Sequence, residues 1–309
     1  MAPLPLKPSA EVTCILNAAA GSDELEAARQ QLTRISAEYA AKAHVVLAHS
    51  GAELATLTAR ALSENSQPVV AGGGDGTVNA VAAGLVGTDT ALGVLPLGTL
   101  NHFAKDAGIP LKLEEAVRNI FTGRAINVDV AEVNGRVFLN NSSIGLYPQI
   151  VRQREEGQSR GYHKWVAFAQ AAATVLRRHS RLQVRLDLDG KAELVRATSF
   201  VFVGNNRYEI AGLDIGGRKT LVGGRLWVCM SRHAGRGNLL LMALRALLGR
   251  LTDADLDAFD AKEIQIHTKR NRVDVSTDGE VNVMDSPLHY RCRPLALKVI
   301  VPTDTGKQA

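Results

Sequence analysis

The sequence predicts a doubly wound parallel α/β domain followed by a mainly antiparallel β-sandwich domain with inserted helices. Two textures and one loop carry that prediction. Early apolar runs alternate with stretches of helical spacing, the pattern of a parallel sheet covered by helices. Beyond about residue 125, two-residue alternation and Asn-Gly or Asp-Gly turns take over. Between a short apolar run and a helix pattern stands Gly72-Gly73-Gly74-Asp75-Gly76-Thr77-Val78-Asn79. Its glycines let backbone N–H groups approach a polyphosphate, and a helix N-terminus behind it adds a favourable dipole.

Taken in order, Glu11 to Leu16 reads as a strand and Asn17 to Ser22 as the loop after it. Leu25, Ala28, Leu32, Ile35 and Tyr39 recur at helical spacing. Ala43 to Ala48 is a second strand, and Leu54, Leu57 and Ala61 mark a second helix. Gln67 to Ala71 leads into the glycine loop, Ala80 to Val86 follows as a helix, and Ala91 to Pro96 supplies a fourth strand. Ligands of such sheets sit beyond the carboxyl ends of the strands. The candidate loops are therefore Asn17 to Ser22, Gly72 to Asn79 and Leu97 to Phe103. In the second part, Ile126 to Val130 and Val137 to Leu139 flank Asn134-Gly135. Arg181 to Asp187 and Leu194 to Val203 flank Asp189-Gly190. Leu226 to Met230, Glu263 to His267 and Arg272 to Val275 add strands, while Tyr162 to Arg178 and Asn238 to Leu251 read as helices. The expected domains are residues 1–126 for nucleotide, 127–303 for a β-rich substrate domain, and a tail at 304–309.

A chain of 309 residues has material for a core in each of two domains. Hydrophobic content of 46% with 22% charged residues is ordinary for a soluble globular protein. No apolar run reaches the roughly eighteen residues of a membrane-spanning helix. The proline-rich start, Met1 to Pro8, lacks the continuous apolar stretch of a signal peptide, so a cytoplasmic location is expected. Cys14, Cys229 and Cys292 are far apart and without paired metal spacing, which reads as reduced core thiols. A net charge of +5 suits anionic partners without choosing among them. With aromatics at 5% and no recognised module, nucleic acid is not an expected partner.

Two common nucleotide motifs fail on spacing. Gly212 to Thr220 comes near a P-loop but reads Gly217-Arg218-Lys219-Thr220, one residue out of register. A dinucleotide fingerprint needs a third glycine where Thr77 stands.

Gly73-Gly74-Asp75-Gly76-Thr77-Val78-Asn79 instead resembles the nucleotide loop of the diacylglycerol kinase catalytic family, which includes bacterial lipid kinases and is related to sphingosine and ceramide kinases. NAD kinases and phosphofructokinases carry similar loops, so other motifs must decide. Asn17-Ala18-Ala19-Ala20-Gly21 resembles the family's first loop, with alanine in place of its usual proline. Leu95-Pro96-Leu97-Gly98-Thr99-Leu100-Asn101-His102-Phe103-Ala104 resembles its Pro-x-Gly-Thr-x-Asn-Asp-Phe-Ala segment, with His102 where aspartate is common. Asp278-Gly279-Glu280 resembles the segment that contributes the family's catalytic base. These motifs keep the family's order across roughly residues 11 to 302.

The resemblance implies a Rossmann-like, NAD-kinase-like first domain and an ATP- and Mg²⁺-dependent lipid kinase, with the reaction in the cleft between the domains. A lipid hydroxyl is a poor nucleophile near neutral pH, so a carboxylate must accept its proton, and Glu280 or Asp278 fits that role. Asn17, Gly21, Gly73, Gly74, Asp75, Gly76, Thr77, Val78, Asn79, Thr99 and Asn101 are implied to hold ATP, with Asp75 the Mg²⁺ partner. A contact at His49 or Ser50 is a further option. Many members hold a structural Mg²⁺ in a Leu-x-Asp-Gly-x-Leu setting. Here the stretch reads Leu221-Val222-Gly223-Gly224-Arg225-Leu226, and that metal is not expected.

Plainer readings stand beside these. Asp-Gly alone is the commonest hairpin turn, and only its position among the other motifs points to catalysis. His102 reads as a helix-start residue beside the nucleotide rather than a metal ligand. Asn238 to Leu251, with basic ends, reads as a buried helix or as a surface helix in peripheral contact with the inner face of the membrane. Arg152, Arg154, Arg160 and Lys164 read as a solvated basic face. The expected acceptor is a diacylglycerol-like lipid alcohol, and a homodimer is compatible with the reading. An NAD-kinase-like metabolite kinase and a non-catalytic nucleotide sensor of the same fold stay open as alternatives.

Overall fold

The structure is a computed structural model that describes residues 11–145, 182–211, 214–232 and 256–303, with single positions at 235, 237, 241 and 245. The expected helices at Tyr162 to Arg178 and Asn238 to Leu251, and the basic stretch from Arg152 to Lys164, lie outside the described residues, apart from single positions within the second helix. The chain forms two compact units: residues 1–130 with 220–222 and 293–309, and residues 131–219 with 223–292.

The first unit alternates strand and helix as its sequence pattern requires. The order is β1 (Glu11–Asn17), α1 (Ser22–Glu38), β2 (Lys42–Ala48), α2 (Gly51–Ser63), β3 (Val69–Gly73), α3 (Asp75–Leu85), β4 (Leu92–Pro96), α4 (His102–Asp106) and α5 (Leu113–Thr122). The strands lie in the order β2-β1-β3-β4, all parallel. Beside β4 runs the end of β18 (Leu288–Val301), in parallel register at Val299 and Leu92. Alternation along β1 turns Val12, Cys14 and Leu16 onto one face, where they pack with Ala28, Leu32 and Ile35 of α1 and with Val117 and Ile120 of α5. Tyr39 stacks on Phe121 at 5.1 Å, joining the ends of those two helices. Of these two last helices, only the start of α4 at His102 was expected. A helix of five residues is too short to show a period, and α5 follows it after only six.

The second unit is antiparallel, as its turns predicted. β5 (Arg124–Val133) turns at Asn134-Gly135 into β6 (Arg136–Phe138). β8 (Leu182–Leu188) returns as β9 (Ala192–Thr198), and β16 (Arg272–Thr277) returns as β17 (Glu280–Asp285). Asn134, Asp189 and Asp278 have positive φ, and each precedes a glycine that does too, the backbone a tight primed turn requires. One sheet runs β14 (Leu256–Ala261), β13 (Leu226–Ser231), β10 (Phe200–Asn205), β7 (Asn141–Gly145), β16, β17. Another joins the start of β18 to β15 (Glu263–Thr268), β8 and β9. Between them lies a core that includes Phe138, Ile144, Leu186, Val201, Val228 and Tyr290.

One expected strand divides. Leu194 to Val203 reads as continuous, but the chain ends β9 at Thr198 and starts β10 at Phe200 in the other sheet. Thr198 and Ser199 are fully buried there. The Thr198 hydroxyl and the Ser199 N–H both bond to Ser231 Oγ, while the buried Ser199 hydroxyl has no hydrogen-bond partner.

On the surface of the first unit, Glu114 accepts from Arg34 at 3.0 Å and from Arg118 at 3.2 Å, while both arginines also reach Glu38. Hydrogen bonds from Arg34 and then Arg118 hold the Glu114 carboxyl below its usual range. A depressed folded value means that its contribution to stability is present above the unfolded carboxylate range and is lost as pH falls through the folded value. Glu114→Gln is expected to melt below the parent at pH 7, with the gap closing as pH drops below about 4. Thermal melts across that range check it.

Candidate functional site

Three loops leave the carboxyl ends of β1, β3 and β4, which are neighbours in the sheet, so their side chains and amides meet. Asn17, the last residue of β1, accepts the Ala19 N–H through Oδ1 at 2.9 Å and donates through Nδ2 to Thr77 Oγ1 at 2.8 Å. The first loop is thereby tied to α3. The second and third loops touch backbone to backbone. Leu97 N–H donates to the Gly73 carbonyl at 3.1 Å, and a Cβ placed on Gly98 would lie 2.4 Å from Gly74 Cα. Gly73 is equally confined, since a Cβ there would meet Thr77 Oγ1 at 2.5 Å. These glycines are required by close approach, whereas Gly21 faces open space.

Asp75 and Asn101 hold the third loop. Asp75 Oδ2 accepts from His102 N–H at 3.1 Å and Oδ1 from Phe103 N–H at 3.0 Å, so a residue of α3 caps the start of α4. Asn101 sits in the left-handed region and folds back, accepting from Gly98 N–H at 3.1 Å and donating to the Gly98 carbonyl at 2.6 Å. His102 begins α4, as its sequence position predicted.

A pocket of about 360 Å³ opens against these loops, lined by Asn17, Gly21, Gly73, Gly74, Thr99 and, unforeseen, Glu24. Gly21 and Gly74 are the N-caps of α1 and α3, and neither helix end has a side-chain cap. No capping side chain therefore competes with an incoming anion at either helix start. Of the other expected residues, Gly76 lies in the first turn of α3, and Thr77, Val78 and Asn79 are buried along that helix. They shape the loop rather than line the pocket. Ser50, the further option, caps α2 through its hydroxyl, which accepts from Glu53 N–H. Glu24 has one signal that could have found it, its place in the first turn of the helix that follows the first loop.

In the second unit, Asp278 and Glu280 flank the turn between β16 and β17 and have different surroundings. The Asp278 carboxylate accepts three backbone N–H groups, from Leu139 at 2.7 Å, Asn140 at 2.9 Å and Asn141 at 3.0 Å. Glu280 is exposed, and its Oε2 accepts from Arg136 Nη2 at 2.6 Å. Arg136 Nε also donates to Thr277 Oγ1 at 3.2 Å, so the guanidinium bridges the last pair of the hairpin. The sequence carried no sign of Arg136. It reaches the hairpin from β6, a strand of the other sheet.

The thiols take no part in such chemistry. None of the three cysteines is in a disulfide and all are buried, and burial pushes Cys14 up to about 12. Burial, with the Asp257 carboxylate adding to it, pushes Cys229 up to about 12 as well. Neither of these two thiols is a thiolate near neutral pH. Among the described residues, no three His, Cys, Asp or Glu side chains converge as a metal cage, and no helix is long and apolar enough to cross a membrane.

Residues 11–133 match the family described as the diacylglycerol kinase catalytic domain, and residues 149–301 match the YegS C-terminal NAD kinase beta sandwich-like domain. A "Probable lipid kinase YegS-like" protein of Klebsiella pneumoniae (strain 342) is 44% identical over 31% of this chain and 33% of its own length. Its namesake from Enterobacter sp. (strain 638) is 35% identical over 47% of this chain and 50% of its own length. The chain thus spans between a third and a half of the length of these curated relatives. A diacylglycerol kinase crystal structure from Bacillus anthracis str. Sterne shares the fold, with a TM-score of 0.69, 20% identity and coverage of 95% of this chain and 97% of that one. The chain belongs to the diacylglycerol kinase catalytic domain family, with a YegS-type second domain.

Proposed function

We propose that this protein is an ATP-dependent lipid kinase that transfers the γ-phosphoryl group to the hydroxyl of a diacylglycerol-like alcohol. The observation that carries the reading is the stapled pair of glycine loops, which turns two uncapped helix N-termini onto one pocket. Such a cradle suits a polyphosphate, and the family membership of both domains supports a kinase. Asn17 and Thr99 would orient the nucleotide, and the glycine-loop amides would hold its phosphates.

The acceptor hydroxyl must lose a proton as it attacks. Glu280 suits that task because its carboxylate is exposed, and Arg136 holds one oxygen in place while leaving the other for the proton. Asp278 suits it less, since three amides already claim its oxygens. Asp75, its oxygens taken up by the α4 amides, fits Mg²⁺ only as one carboxylate beside the nucleotide's own phosphates, a common arrangement for this ion. When bound there, Mg²⁺ offsets charge on the transferring phosphoryl group. Peripheral contact with the inner membrane face, without a spanning helix, would deliver the lipid.

Incubation with labelled ATP, extracted membrane lipids and NAD is expected to place label in a chloroform-soluble product. Label appearing only in water-soluble NADP would establish the metabolite-kinase alternative. ATP binding with no transfer would establish a nucleotide sensor.

Glu280→Gln should cut turnover by about 10²- to 10⁴-fold with an unchanged melting temperature. Asp278→Asn should instead lower melting temperature and turnover together, because charged hydrogen bonds are worth roughly 1.5–3 kcal/mol each. Full activity in Glu280→Gln would remove that residue from the chemistry.

Gly98→Ala must force the two loops apart. Calorimetry is expected to show ATP affinity at least about tenfold weaker than the parent. Parental affinity would move the nucleotide elsewhere.

A further inference from the structure

Arg218 ends β12 (Asp214–Arg218), a short strand paired with β11 (Tyr208–Ala211), and it is 8% exposed. Its guanidinium spreads over three acceptors. Nη1 donates to the Leu139 carbonyl at 2.6 Å and to the Asn205 carbonyl at 3.1 Å, and Nη2 donates to Asn140 Oδ1 at 3.1 Å. The ring of Tyr208 lies 5.7 Å from the guanidinium carbon.

The same short segment is held from its other side by Asp278, which accepts the N–H groups of Leu139, Asn140 and Asn141. Asn205 completes the grip, with Nδ2 donating to the Leu139 carbonyl at 2.9 Å and its N–H to the Asn140 carbonyl at 2.9 Å. Asp278 N–H in turn donates to the Asn141 carbonyl at 2.9 Å. A buried cation thus pulls on the carbonyl of the Leu139–Asn140 peptide unit, whose N–H binds the Asp278 carboxylate. Each bond polarises the next in a low-dielectric setting. Asp278 is the first residue of the turn that presents Glu280 two positions later.

We propose that Arg218 is a positioning residue for phosphoryl transfer, acting through the peptide segment 139–141 and Asp278 to fix the turn that carries Glu280. The inference rests on Glu280 being the base and adds a residue that no motif of the chain marks. Lysine keeps the charge at position 218 but cannot fork to three acceptors, so it tests geometry separately from charge.

Arg218→Lys is expected to speed backbone hydrogen exchange at 139–141 and 277–280 while leaving exchange at 72–101 and ATP affinity unchanged. Turnover on lipid should fall about 100-fold, the cost of a misplaced catalytic group. In a double-mutant cycle, Arg218→Lys should cost nothing further in a Glu280→Gln background, because both changes remove one contribution. Unchanged exchange at 139–141 overturns the clamp, as does loosened exchange with full turnover or an additive cycle. If Glu280→Gln alone keeps full turnover, the assignment of the base fails, and the exchange measurement still judges the clamp. Should Arg218→Lys not fold, Asn140→Ala removes one acceptor and is read by the same measurements.

Discussion

The backbones of two loops meet at Gly74 and Gly98, at a separation that leaves no space for a Cβ atom on Gly98. The pocket lined by both loops depends on that contact. It sets the distance between the glycine loop and the β4 loop, and the Leu97 to Gly73 hydrogen bond and the Asp75 cap on α4 lock it. The N-cap of α3 is Gly74, so no side chain caps that helix start. Parallel pairing of β1, β3 and β4 brings the loops to the same edge, and small residues let them come this close.

The second unit solves a different problem, holding one exposed carboxylate in a defined place. It does so with a partly buried carboxylate, Asp278, and a buried cation, Arg218, that grip one peptide segment from two sides. Buried charges are costly unless their hydrogen bonds are satisfied, so such a network is stable only when complete. The division of labour within Asp278-Gly279-Glu280 follows from it. The residue that anchors the turn is engaged by amides, and the residue that begins the next strand keeps its carboxylate toward solvent.

Much of this was legible in the residues. Strand-helix alternation, two Asn-Gly or Asp-Gly turns and four motifs in a family's order led to the two-part fold. Elements without a period of their own were not legible. α4 is a single turn whose cap comes from Asp75, 27 positions earlier. β9 and β10 read as one strand because both are apolar, and the switch between sheets at Ser199 is made by distant partners such as Ser231.

The sequence by itself determined the family, the order of the elements and the residue types that could meet a phosphate or accept a proton, because these depend on local period and on short motifs. The tertiary structure alone decided what each of those residues touches. It showed Asp75 as the tie between two loops, Thr77 as the acceptor of Asn17, and Asp278 surrounded by amides while Glu280 meets Arg136. It also brought Arg218 into the account. Contacts across 27, 60 or 144 positions are made by strand pairing and packing, which no local pattern encodes.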